Sequence, residues 1–325
     1  MLLCITQISY TKSNAHWDEV ILMSENHLIL LPDAIAGYSA DNNIESLTIP
    51  LKRAGNLILI DAKVDSTAGS LVFDTGSSML VLNAIYFRNE RRSGGRVSGG
   101  ITGSMGKVDR TVIGKLWISE VQYKNMEADI TDLGHIEQAK NTKILGLFGL
   151  SMLRNFEVVL DLQNNKLSLF RTDKNGNRTG KVSAPLTFDL EIPFQEVSDL
   201  IFIDARIAGK RCTFCIDTGA ETNVLSSDLS PKILNTLTIL RRIKLRGTGS
   251  QSTEALYCQM NDFSIDIHNF KDMNVLVTDL SHMKEAFGVY IDGMLGSDFL
   301  EKGVFHFNHA KGKIGIQFDT SSHEK

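Results

Sequence analysis

The 325-residue chain has no apolar run near the roughly 18 residues that a membrane helix requires, so no segment is expected to span a bilayer. Its four cysteines, Cys4, Cys212, Cys215 and Cys258, are too few for a disulfide framework in a chain of this length. Charge of one sign is also lacking. The 34 Lys and Arg stand against 38 Asp and Glu, a net of -4, which excludes the strongly basic field that gathers nucleic acid or an anionic membrane. The eight histidines include no His-Glu-x-x-His, so no metal site is expected, and nothing implies another cofactor. No Gly-x-x-x-x-Gly-Lys-Ser/Thr occurs, which removes the nucleotide-binding P-loop. The opening MLLCITQISY has no Lys or Arg before its five successive apolar residues and falls short of an export signal.

What is present is the composition of a globular protein, 42% hydrophobic and 22% charged, in a length that suits two domains better than one. An internal repeat then sets the organisation. LILIDAKVDSTAGSLVFDTGSSMLVLN, beginning at Leu57, aligns without a gap on LIFIDARIAGKRCTFCIDTGAETNVLS, beginning at Leu200, an offset of 143 residues. ILGLFGLSML from Ile144 meets IDGMLGSDFL from Ile291 at an offset of 147. The copies span residues 44–171 and 187–318. Residues 172–186, rich in Asn, Gly and Lys, read as linker, 1–43 form an extension without counterpart, and 319–325 form a C-terminal tail. The period is far too long for a solenoid, so a duplicated domain with pseudo-twofold symmetry is expected.

Within each copy, β-branched and apolar runs such as SLVF, SMLVL, FEVVLDL and KLSLF are broken by Gly, Asn, Asp and Ser, the pattern of strands and turns. Helical signals are brief: SHMKEAFG over 281–288, and LSMLRN and SDFLEK just after each downstream glycine motif. The fold class is all-β with a few short helices.

Each copy places one carboxylate between two apolar strands: Leu-Val-Phe then Asp74, and Phe-Cys-Ile then Asp217, each followed by Thr-Gly. A single Asp-Thr-Gly is an ordinary strand-ending turn. Two at equivalent positions of a duplication are different, because a twofold axis can bring them face to face. Two carboxylates within a few ångströms cannot both ionise cheaply, so they share a proton and titrate as a low and a raised pair. Such a pair is an acid and a base together, able to activate a water against an amide carbonyl.

The paired Asp-Thr-Gly motifs, each followed downstream by two apolar residues and Gly149 or Gly296, resemble the aspartic proteases of the pepsin and retropepsin class. The resemblance covers both copies and implies two closed β-barrel-like lobes, in each of which the strand leading to the downstream glycine crosses beside the Asp loop in a ψ shape. It implies catalysis by Asp74 and Asp217, support from Thr75, Gly76, Ser77, Thr218 and Gly219, and hydroxyl bonds from Thr75 and Thr218 to the opposite loop. Asp74-Thr75-Gly76-Ser77-Ser78 is similar to the pepsin form and Asp217-Thr218-Gly219-Ala220 to the retropepsin form. On that pattern Ser77 bonds and acidifies Asp74, leaving the shared proton on Asp217.

The family also closes its cleft with a β-hairpin flap. The glycine-rich stretch 94–106, with Gly100, Ile101 and Thr102, and the stretch holding Gly247, Thr248 and Gly249 stand as flap candidates, with ordinary surface loops as the alternative. The basic clusters before them, from Arg88 to Arg96 and from Arg241 to Arg246, read as solvated faces or as a preference for acidic substrates. Cys212 and Cys215, three apart on a strand, point to opposite faces and read as core. The resemblance implies an aspartic endopeptidase acting on peptide or protein substrates, sufficient as a monomer because one chain supplies both carboxylates. The rival is a catalytically inactive peptide-binding protein on the same fold. Exported or periplasmic placement is favoured over cytoplasmic by analogy.

Overall fold

The computed structural model describes residues 4–6, 44–88, 97–100, 103–180, 186–246, 252–281, 283 and 290–318. The repeat in the sequence is a repeat in structure. Leu57–Val64 and Leu200–Ile207 show the same burial along their lengths, four buried residues and then an alternation that exposes Asp61 and Lys63 in one and Asp204 and Arg206 in the other. The apolar first half lies between layers, whereas the second half has one face in water, so period two returns only there.

The first lobe is a closed barrel. Around it run Leu57–Val64, Thr67–Phe73, Ile144–Phe148, Val81–Asn83, Val121–Thr131 and Asp109–Ile118, and the last pairs back onto the first with Lys63 opposite Trp117. In the second lobe the strand corresponding to Asp109–Ile118 is broken into Ser252–Met260 and Phe263–Ile265, and the short second piece makes the closing contact, with Arg206 opposite Ser264. Cys4–Thr6 adds to the edge of that sheet beside Lys244, Leu245 and Arg246.

In both lobes one strand threads between two others. Ile144–Phe148 runs parallel to Thr67–Phe73 and antiparallel to Val81–Asn83, while Gly293–Leu295 runs parallel to Lys210–Ile216 and antiparallel to Asn223–Ser226. The downstream glycines follow these strands. A Cβ on Gly149 would lie 2.4 Å from the Ser77 carbonyl oxygen, and one on Gly296 would lie 2.4 Å from that of Ala220. Both chains therefore pass at a separation that no side chain tolerates.

The lobes are joined by a six-stranded sheet drawn from both copies: Leu190–Pro193, Lys313–Phe318, Gly303–Asn308, Phe156–Asp161, Lys166–Arg171 and Ser46–Pro50, in that order. Its central pair sets Val159 opposite His306. These two are equivalent positions of the repeat, so the pseudo-twofold axis passes between them. One hydrophobic core runs through this sheet into both lobes, with Phe305 edge-on to Phe299, which meets Phe263 and Phe270 in turn.

The first half of the linker is held by hydrogen bonds. Thr172 and Arg178 form a β-bridge, Asp173 accepts the Asn175 and Asn177 amides, and the Gly176 carbonyl accepts from Asn308 at 2.8 Å. The helices are short. Gly134–Lys140, which was not foreseen, buries Ile136, while Leu150–Leu153 and Ser297–Leu300 follow the two glycine motifs. Of the helix expected over 281–288, Ser281 and Met283 are helical and the rest lies outside the described residues. Among the described residues no helix is long and apolar enough to cross a membrane.

Candidate active site

Asp74 and Asp217 stand at the ends of Thr67–Phe73 and Lys210–Ile216, where each strand turns back, and both are completely buried. The threading strand anchors each turn, the Asp74 amide donating to the Phe148 carbonyl and the Asp217 amide to that of Leu295, both at 3.0 Å. Each carboxylate is then aimed by its own turn. Gly76 N–H donates to Asp74 Oδ1 at 2.9 Å, and Gly219 N–H to Asp217 Oδ1 at 2.8 Å.

The two turns lock across the axis. Thr75 Oγ1 donates to the Ile216 carbonyl at 2.7 Å and accepts the Thr218 amide at 3.0 Å. Thr218 Oγ1 donates to the Phe73 carbonyl at 2.7 Å and accepts the Thr75 amide at 2.9 Å. Four buried bonds thus tie the carboxylate loops into one unit. The glycines define its closeness: a Cβ on Gly76 would lie 2.6 Å from Asp217 Cγ, and one on Gly219 would lie 2.7 Å from Asp74 Cγ. Each Asp therefore rests against the other lobe's glycine.

Asp217 Oδ2 is buried and receives no hydrogen bond from a protein donor. Burial raises the Asp217 carboxyl well above the usual carboxylate range, and the neighbouring charge and side chain of Asp74 push it further, against the Gly219 amide that favours ionisation. An acid in such surroundings holds its proton where an ordinary Asp has lost it. Cys215, on the strand that enters the loop, is raised well above the usual thiol range by burial and by Asp217, which disfavours its thiolate. It packs with the second lobe's outer cluster, whereas Cys212 joins the main core, as opposite faces of a strand require.

Ser77 departs from the expected pattern. Its hydroxyl donates to the Met79 carbonyl at 3.0 Å, two residues on in the same turn, and not to Asp74. The Met79 carbonyl takes its one proton, so an acidifying bond from Ser77 to Asp74 is not made.

One difference between the two loops was not read from the sequence. Ser78 in the first lobe corresponds to Glu221 in the second, and Glu221 forms a largely buried ion pair with Lys140 Nζ of the first lobe at 2.6 Å. Asn56 donates to the Glu221 carbonyl at 2.9 Å. The first lobe thus holds the Asp217 loop by an ion pair that has no equivalent on Ser78, whose carbonyl takes a hydroxyl bond from Ser151. Lys140 ends the unforeseen helix, and its partner lies 81 residues on, beyond any local pattern.

Val97–Gly100 and Gly103–Lys107 form a hairpin with Gly100 opposite Gly103, while Ile101 and Thr102 lie outside the described residues. In the second lobe, Thr238–Arg246 and Ser252–Met260 pair likewise, and Gly247, Thr248 and Gly249 lie outside the described residues. Arg241 and Arg242 are exposed on the first of these strands, with Arg241 over the Tyr257 ring. A cavity of about 350 Å³ opens elsewhere, on the shared sheet, lined by Glu157, Arg178, Phe188, His306, Asn308 and Lys311 among others. Burial opposes the charge of Glu157, but bonds from His306 and Arg178 outweigh it and hold the carboxyl down at about 2. Among the described residues no three His, Cys, Asp or Glu come together as metal ligands.

Residues 203–299 match the aspartyl protease family. No curated protein matches the chain in sequence. Among solved structures it is similar to the aspartic proteinase from Irpex lacteus, at 15% identity over 86% of this chain and 99% of that one, with a TM-score of 0.50. It is also similar to basic 7S globulin from soybean, at 12% identity over 87% of this chain and 97% of that one, with a TM-score of 0.47. The chain thus has the two-lobed fold of the pepsin-class aspartic proteases, with an aspartyl protease family sequence through most of its second lobe.

Proposed function

We propose that the protein is an aspartic endopeptidase whose dyad is Asp74 and Asp217, with residues 44–171 and 187–318 as its two halves and 172–186 as their linker. The observation that carries this reading is the cross-axis geometry: each buried carboxylate lies against the other lobe's Asp-Thr-Gly glycine, and Asp217 Oδ2 has no protein donor. Asp217 keeps the shared proton and Asp74 is the base. As a water oxygen bonds to the amide carbon, Asp74 takes the water's proton and Asp217 gives its own to the carbonyl oxygen, forming a neutral diol. Asp74 then passes its proton to the nitrogen as the carbon–nitrogen bond breaks, and a diol hydroxyl returns a proton to Asp217. The dyad ends as it began, with no covalent intermediate. Thr75 and Thr218 hold the two loops at a fixed separation, and Gly76 and Gly219 make room for the opposite carboxylate. Ser77 serves as a turn former. The two hairpins, with Gly100, cover the bound peptide together with the sequence candidates Ile101, Thr102, Gly247, Thr248 and Gly249. One chain suffices.

The test is incubation of the purified protein with an unfolded protein from acid to mildly alkaline pH. Pepstatin-sensitive cleavage is expected, fading as the pH rises through the raised titration of Asp217. Peptide binding without turnover at any pH refutes the reading and leaves the binding protein.

A further inference from the structure

The lobes also meet at two contacts that are equivalent in position and opposite in charge. Arg53 lies in Lys52–Ala54 opposite Ile58, and Glu196 holds the same place in Gln195–Val197 opposite Ile201. Arg154 is the C-cap of the helix Leu150–Leu153, and Glu301 is the C-cap of Ser297–Leu300. Each strand residue reaches the cap of the other lobe. Arg53 Nη2 pairs with Glu301, while Arg154 Nη2 pairs with Glu196 and, at 2.7 Å, with Asp199. His309 Nδ1 lies 3.3 Å from Glu196 as well. The first lobe therefore presents arginine at both positions and the second presents glutamate at both.

Apart from the Lys140–Glu221 pair, the rest of the interface hardly distinguishes one lobe from the other. Thr75 and Thr218 make the same two bonds, both loops are Asp-Thr-Gly, and the central strands of the shared sheet cross on the axis at Val159 and His306. Two first lobes from separate chains can satisfy these features as well as a first and a second lobe can. At the charged contacts they cannot. Paired with itself, the first lobe sets Arg53 against Arg154 twice, and the second sets Glu196 against Glu301 twice.

We infer that these four residues form a charge code by which each lobe accepts the other lobe of the chain and refuses a second copy of itself. Partly exposed ion pairs add little attraction, but like charges at the same places repel the wrong partner, and duplicated domains are prone to such misassembly. The inference holds whether or not the chain is a peptidase.

The test refolds the full chain from urea at increasing protein concentration and reads mass by size exclusion with light scattering. The exchange Arg53→Glu with Glu301→Arg keeps both ion pairs within the chain but makes each lobe complementary to itself. It is expected to raise the dimer fraction several-fold over wild type, increasingly with concentration. In about 1 M salt, where the screening length is roughly 3 Å, the excess disappears. Arg53→Gln with Glu301→Gln, which removes the like-charge repulsion without creating self-complementarity, gives a dimer fraction between those of wild type and the exchange variant. An exchange variant no more dimeric than wild type, or a neutral variant that dimerises equally, overturns the inference. Should the first exchange not refold, Arg154→Glu with Glu196→Arg and Asp199→Asn poses the same test with the same two outcomes.

Discussion

Replacing Thr75 by Val removes one hydroxyl, keeps the shape of the side chain, and strips two groups of their partners across the lobe interface. The Thr218 amide loses the oxygen it donates to at 3.0 Å, and the Ile216 carbonyl loses the proton it accepts at 2.7 Å. Thr75, Thr218 and Ile216 are at most 1% exposed, so water does not replace the lost hydroxyl without opening the interface. A buried group left unsatisfied costs about 1–3 kcal/mol, so two put the variant about 2–6 kcal/mol below wild type. Thr218→Val should cost the same, because the Thr75 amide and the Phe73 carbonyl are orphaned in their turn. Thr75→Ser, which keeps the hydroxyl, should recover most of the loss. Urea unfolding followed by circular dichroism reads these differences, and none depends on catalysis. If Thr75→Val unfolds within about 0.5 kcal/mol of wild type, the scale of an ordinary surface change, the crossed threonines do not hold the loops together.

The raised titration of Asp217 means that the folded chain keeps a proton which the unfolded chain loses near the ordinary carboxylate pKa. The cost to stability is absent below about pH 4 and grows by about 1.4 kcal/mol with each further pH step of one as the solution approaches neutrality. Asp217→Asn should therefore be more stable than wild type at neutral pH and no more stable in acid, as thermal melts across pH will read. Lys140→Met leaves Glu221 charged and nearly buried without its cation; a loss of about 3 kcal/mol is expected, and most of it should return when Glu221 is also replaced by Met. Glu157 has the opposite sign. Held at about 2, it contributes stability above its unfolded value that is lost as the pH falls toward about 2, so the gap between wild type and Glu157→Gln in urea unfolding should close by about 3 kcal/mol over that acid range.

Local pattern and the repeat carried much of this architecture. The two Asp-Thr-Gly turns, the strand that follows each, and the glycines at the crossings were visible because a gapless alignment of the halves exposes them, and each depends on neighbours close in sequence. The shared sheet was not visible. The apolar run marks Phe156–Asp161 as a strand buried on both faces, yet nothing in that segment says that its partner is Gly303–Asn308 of the other copy. The break at residues 261–262, which splits one strand of the second lobe in two, likewise emerges only when both pieces find their neighbours. The bond expected from Ser77 to Asp74 failed because a competing acceptor, the Met79 carbonyl, lies within the same turn. Lys140 and Glu221, and the reversed charges of Arg53, Arg154, Glu196 and Glu301, are plain in the sequence as residues but acquire meaning from the pairing of lobes. Seen alone they are solvated charges, the commonest role for Lys, Arg and Glu.

The most direct measurement compares the wild-type chain with Asp74→Asn and Asp217→Asn in the cleavage of an unfolded protein at mildly acidic pH, with new termini counted by mass spectrometry. Two carboxylates acting as one unit predict that the wild type cuts and that either substitution alone removes roughly 1,000-fold or more of the rate, with little further loss in the double variant. Cleavage that persists in either single variant, or a wild type that binds the unfolded protein without cutting it, would contradict the account.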